Sequence, residues 1–228
     1  MTQPIAFILG GGLRIGHAVA AKFVSQGYSV ALGRRSIQAS VGIKGVTPVA
    51  VDVASMQSVE AAFAEVEIKL GFPTVVVYNG EAPSMSPLLV PPEAFANDTA
   101  INVTGGYAAL YAATRGWERL REGGSATHKH QGVFIATGNV TPFYPNPIAT
   151  SLAAGKAALV HLIELAEQEF YFVSQILDDG GPVPYDLVKG GAHAEAYWEI
   201  VQGKVGKDTW DVRFVVGNDG SIKYGMGR

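Results

Sequence analysis

Gly10-Gly11-Gly12-Leu13-Arg14-Ile15-Gly16 is the segment whose residue types most narrowly restrict its chemistry. It follows an apolar run and leads straight into a helical pattern. Such a turn needs backbone angles that glycine adopts readily, and the missing side chains let a phosphate approach the backbone. The following helix adds unpaired N–H groups and the positive end of its dipole. A tight turn without a ligand has the same composition, so the loop gains meaning from its surroundings. Further along, single polar residues follow apolar runs or interrupt helical ones: Asp52 before Val53, Asn79 before Gly80, then Asn102, Asn139 and Lys156. Each has a plain alternative. Asp52 can cap a turn, Asn79 can sit in a loop, and Lys156 can be a solvated helix lysine. His128 and His130, beside Lys129, suit a solvated loop better than a metal site, and no metal is expected.

The elements that must position these residues follow from periodicity. Residues 5–9, 29–32, 48–51, 74–78, 133–136, 172–177 and 212–216 are short apolar runs of strand type. Between them, helical spacing appears in Ile15, Val19 and Phe23, and in Val59, Phe63, Val66 and Leu70. It recurs over residues 93–121, 151–170 and 192–201. Residues 81–92 hold Pro83, Pro87, Pro91 and Pro92 and form a loop. Residues 122–131 are a polar surface loop, and residues 180–190 a glycine- and proline-containing one. Alternation of this kind specifies an α/β domain with a parallel sheet of about seven strands in three α/β/α layers. Residues 1–228 form one domain, with a small lid at about 178–210.

At 48% hydrophobic and 16% charged residues, the chain is too apolar to be disordered. A net charge of −3 offers nothing to nucleic acid or an anionic membrane. The absence of cysteine excludes disulfides and thiolate metal sites. The apolar N-terminal run is too short to span a bilayer. A soluble cytoplasmic protein is expected.

Taken together, these residues resemble the short-chain dehydrogenases/reductases, a Rossmann-type family. Gly10, Ile15 and Gly16 match its glycine pattern, with Arg14 in place of the middle glycine. Asp52 and Val53 resemble its adenine-contacting segment, and Asn79-Gly80 part of its Asn-Asn-Ala-Gly. Asn102, three residues before Gly105, resembles the asparagine of its long central helix. Gly155-Lys156 resembles the lysine end of its tyrosine–lysine motif. Thr137–Asn139, Gly155–Lys156 and Ala192–Glu195 are closest to a fungal-looking, atypical branch. The resemblance implies a cofactor site of Gly10, Gly12, Leu13, Arg14, Ile15, Gly16, Asp52, Val53, Asn79, Gly80 and Lys156. Arg34 and Arg35 extend it, because Gly33-Arg34-Arg35-Ser36 ends the second strand without a carboxylate. An acidic residue there would bind a free ribose and repel a 2′-phosphate, whereas two guanidinium groups can bind that phosphate or simply face solvent. NADP(H) is the expected cofactor.

The resemblance also exposes a gap. The family's catalytic tyrosine precedes the lysine by four residues, one helical turn. Leu152 stands there, and Asn139 stands where its serine belongs. Asparagine can still hydrogen-bond a carbonyl oxygen, but leucine has no proton to give. Tyr144, or a water held by Lys156 and Asn102, can replace the donor. His161 lies about 140° around the helix from Lys156 and points elsewhere. His193 is expected to be structural, and Tyr185, Tyr197 and Trp198 line a pocket or belong to the core. Asn102, Asn139, Lys156 and Tyr144 are thus the catalytic candidates for a small carbonyl or alcohol substrate. The alternatives are an inactive dinucleotide-binding regulator or scaffold, and a non-redox isomerase or cyclase. A homodimer or homotetramer through the helices at 93–121 and 151–170 is also implied, with Ala108, Ala109, Ala112 and Ala113 as a packing face; packing on the chain's own sheet explains these alanines equally well.

Overall fold

The computed structural model describes residues 3–36, 42–84, 86, 89–123, 132–144, 146–166, 169–205 and 209–226. The segment with His128, Lys129 and His130 lies outside them. Short uncharged runs, apolar nearly throughout, become the central strands β1 (Ile5–Leu9), β4 (Val75–Tyr78) and β5 (Val133–Thr137), buried along their whole lengths. Such continuous burial is what a parallel sheet covered on both faces requires. With β2 (Ser29–Arg34), β3 (Val46–Ala50), β6 (Phe170–Ile176), β7 (Asp211–Val216) and β8 (Ile222–Met226) they form one sheet, ordered β3-β2-β1-β4-β5-β6-β7-β8. Neighbours run parallel except β7 and β8. The order reverses between β1 and β4, and in such sheets the ligand crevice opens there, beyond the strands' carboxyl ends.

Helices cover both faces. On one side α1 (Ile15–Ser25) packs with α6 (Gly190–Val201) over Ile8, Leu32, Val77 and Ile135. On the other, α2 (Met56–Lys69), α4 (Gly106–Glu122) and α5 (Thr150–Leu165) cover Phe7, Val76, Phe134 and Phe172. Ala108, Ala109 and Ala113 are buried in that second layer and Ala112 packs partly against it, so the alanine face turns toward the chain's own sheet. Among the described residues no helix is long and apolar enough to cross a membrane.

The expected helix at 93–121 is three pieces: α3 (Pro92–Thr99), a π-helical turn (Ala100–Gly105) and α4. Side chains that enter a helical ladder widen it in this way. Here the Tyr78 phenol donates to the Ile101 carbonyl from beneath. The helix expected at 151–170 stops at Leu165, and β6 starts at Phe170 rather than at 172. The aromatic pair Phe170-Tyr171 suits a pleated strand better than a helix end. The eighth strand exceeds the expected seven and returns from β7 through Gly217-Asn218-Asp219-Gly220, where Gly220 has φ +81°.

Candidate functional site

The glycine loop sits at the mouth of the crevice. Gly10, at φ +102°, and Gly11 both donate backbone N–H bonds to Gly33 O, at 3.0 and 2.8 Å. That pair of bonds ties the loop to the end of β2 and brings Arg34 and Arg35 beside it. A Cβ on Gly16 would lie 2.4 Å from Gly10 O, so only glycine lets α1 start this close to the turn. Gly12 faces open space, and Leu13 is exposed. Arg34 is half-buried, Arg35 is exposed, and neither joins an ion pair among the described residues. The loop can therefore accept a pyrophosphate on the start of α1, with two cations at hand for a further phosphate.

Asn79 braces this turn from β4, its Nδ2 donating to Gly10 O at 2.8 Å, while Gly80 lies buried beside the Tyr78 ring. Asp52 closes a small turn after β3 by accepting from Ala54 N at 3.0 Å; it is exposed, and Val53 follows it half-buried. Arg14 does not turn toward the loop. Its guanidinium stacks on the Tyr185 ring at 3.8 Å and donates to the Tyr185 carbonyl. Tyr185 opens the short 3₁₀ turn Tyr185–Leu187 in the expected lid, which Gln175 also holds by accepting from Lys189 N at 2.8 Å.

Deeper in, the π turn holds Asn102, fully buried. Its amide makes both bonds to the Ala82 backbone, accepting at 3.1 Å and donating at 2.8 Å. Asp98 performs a similar task one turn earlier, accepting from Ser84 N at 2.7 Å and from the Ser151 hydroxyl at 2.6 Å. The segment after β4 is thus pinned to α5. Leu152, 8% exposed, and Lys156, 1% exposed, follow on the same face of α5. The Lys156 ammonium donates to Thr137 O at 2.8 Å and lies 3.4 Å from a carboxylate oxygen of Glu81. Asn139 accepts from Thr141 N and Thr141 Oγ1 at 3.0 and 2.5 Å, so its Nδ2 is the group available to a substrate oxygen. Tyr144 is 41% exposed, its hydroxyl 3.2 Å from where a Cβ on Gly180 would stand, at the lid's root. His161 is exposed on α5.

Tyr197 and Trp198 belong to the framework, as does His193. Tyr197 is fully buried and donates to Thr137 Oγ1 at 2.8 Å. Trp198 packs edge-on against Phe23 and Tyr28. His193 is wedged edge-on against Phe214, at a centroid separation of 5.0 Å, and against Tyr197. Burial there lowers its pKa to about 4. The residue that motif spacing missed is Glu81. The available clue was a carboxylate two residues after Asn79, where the family pattern ends in glycine.

A family model described as short chain dehydrogenase matches residues 4–172. A short chain dehydrogenase/reductase of Cryptosporiopsis sp. is 31% identical over 239 residues, covering 95% of this chain and 94% of its own. Among solved structures, a short chain dehydrogenase from Mycobacterium avium superposes with a TM-score of 0.81 at 17% identity, over 100% of this chain and 86% of that one. A metagenomic short-chain oxidoreductase in complex with NADP gives 0.76 at 18% identity, over 94% and 98%.

Proposed function

The chain belongs to the short-chain dehydrogenase/reductase family, and from that membership we propose that it is an NADP(H)-dependent oxidoreductase acting on a small carbonyl or alcohol. The observation that carries this reading is Lys156. An ammonium 1% exposed at the carboxyl edge of the sheet is costly to keep there, and packing alone gives no reason for it. When bound, a nicotinamide cofactor supplies the hydride or accepts it. The chain's residues do the rest. Gly10, Gly12, Leu13, Ile15 and Gly16 receive the pyrophosphate, with Asn79 and Gly80 supporting the turn. Asp52 and Val53 flank the adenosine end, and Arg34 and Arg35 take the 2′-phosphate. Asn139 directs a donor at the substrate oxygen, and Asn102 fixes the floor of the cleft. The proton comes from a source other than a tyrosine at position 152, with Tyr144 at the lid root as one candidate.

Leu152 favours a second reading, a dinucleotide-binding protein without turnover. Titration with NADPH and NADH, followed by NADPH oxidation assays on an aryl aldehyde, an aryl ketone and an o-quinone, separates the two. The proposal requires NADPH to bind more tightly than NADH and at least one probe to be reduced. NADPH binding without oxidation of any probe favours the second reading. Arg35→Ala should weaken NADPH about tenfold or more and NADH hardly at all, since a charge-assisted bond to phosphate is worth about 1.5–3 kcal/mol. Equal weakening of both would remove the phosphate role. For assembly we propose a homodimer or homotetramer through α4 and α5. The support is the pair Tyr107 and Tyr111, both about half exposed on α4.

A further inference from the structure

The ionisable group that this cleft presents in place of the missing tyrosine is, we propose, the carboxyl group of Glu81, supplied with protons by Lys156 behind it. The inference rests on the reductase reading above and identifies its proton source. Glu81 follows β4 directly after Asn79-Gly80, at the carboxyl edge of the sheet beside the point where strand order reverses. Its side chain is 34% exposed, whereas that of Lys156 is 1% exposed, and the two lie 3.4 Å apart. The carboxylate therefore reaches solvent where the ammonium does not. The ammonium also donates to Thr137 O, so it is held between that carbonyl and Glu81.

The surroundings keep this pair isolated. From α6, Tyr197 and His193 are the titratable groups whose charges sense Glu81; burial holds the Tyr197 phenol protonated and His193 neutral. Tyr197 is spent on Thr137 Oγ1 and His193 on the Lys189 carbonyl. Lys156 is thus the one cation beside Glu81 among the described ion pairs. In the reductive direction, a dihydronicotinamide, when bound, would supply the hydride to a substrate carbonyl carbon, leaving the carbonyl π pair on oxygen. That oxygen takes a proton through the Glu81 carboxyl group, which draws it from the Lys156 ammonium. The amine is restored by a solvent proton entering at the exposed edge of Glu81. In the oxidative direction Glu81 removes the alcohol proton and the same path runs backwards.

The test compares the parent with Glu81→Gln and Glu81→Asp, using NADPH fluorescence titration, thermal melting and steady-state reduction of the aldehyde, ketone and o-quinone probes. Glu81→Gln should bind NADPH within about threefold of the parent, keep KM and lose a hundredfold or more in kcat, within the usual range for a positioned acid. It should also lose one limb of the pH–rate profile, and Glu81→Asp should recover part of the rate. Should Glu81→Gln fail to fold, Glu81→Asp carries the comparison, because a counterion role alone leaves its kcat unchanged. Unchanged kcat in the variants, with an active parent, overturns the assignment. Parallel loss of NADPH binding and melting temperature makes Glu81 only the partner of a buried charge and overturns it too. A parent that binds NADPH but reduces no probe overturns the reductase reading, and this inference with it.

Discussion

At the scale of single residues, Asn102, Asn139 and Lys156 stand in the candidate site with leucine, not tyrosine, one turn before the lysine. Leu152 occupies the helical turn before Lys156 and is buried, 8% exposed. Leu152→Tyr would set a phenol one turn from the ammonium, on the same face of α5. If Asn139 and Lys156 are arranged for hydride transfer, the variant should raise kcat at least tenfold on the carbonyl probes, with NADPH affinity unchanged. No gain, with NADPH still bound, would mean that substrate does not dock against this face of the helix. Only part of this was legible from residue types. Lys156, Asn79 and the glycine loop announce themselves through spacing, because the chain must supply them at fixed offsets from strand ends. Glu81 does not. A glutamate in a loop is ordinarily solvated, and only the fold, by burying Lys156 behind it, makes it part of a pair.

At the scale of elements, the π turn Ala100–Gly105 carries the most consequence. Helical periodicity foresaw a single helix there, because apolar spacing survives one inserted residue. The reason for the break lies outside the segment, in the Tyr78 phenol and the Ala82 backbone, which no local pattern reports. β8 was missed for a similar reason. Its Asp219-Gly220 turn is a hairpin signal, but the strand beyond is short and half-exposed. Strands β1, β4 and β5, by contrast, were readable, since full burial on both faces demands an unbroken apolar run. Asn102 shows what the π turn stabilises. Asn102→Ala would strip both partners from the Ala82 backbone and open a small void beside Gly155. About 2 kcal/mol of stability should go, at roughly 1 kcal/mol per lost bond. For a chain of this size that corresponds to a fall of about 4–8 °C in Tm. On the proposed reading NADPH affinity should drop with it, because Asn79 on the same segment braces the glycine turn. A variant that melts like the parent would show that α5 and Asp98 hold this segment without Asn102.

At the scale of the whole molecule, α6 seals one face of the sheet with a histidine that cannot charge where it sits. His193 is wedged against Phe214 and Tyr197, and desolvation lowers its pKa from 6.5 to about 4, against smaller opposing contributions from the Lys189 carbonyl and Glu81. In the unfolded chain the same imidazole binds a proton below about pH 6.5. Between those values the unfolded state holds more protons than the native one, so stability rises with pH and is lost as pH falls. The full loss from this group, from pH 6.5 down to about 4, is about 3 kcal/mol, of which about 2 kcal/mol is gone by pH 5. Carboxylates titrate mostly below that window, so the decline begins earlier than acid denaturation alone would place it. Urea unfolding at pH 7, 6 and 5 should show it, and His193→Gln, which removes the titration, should flatten the profile over that range. The variant will be less stable at pH 7, since the amide fits the aromatic wedge poorly, but the two curves should converge as pH falls. Parallel curves would mean that His193 is not the group that loosens α6, and that the sensitivity lies elsewhere in the chain.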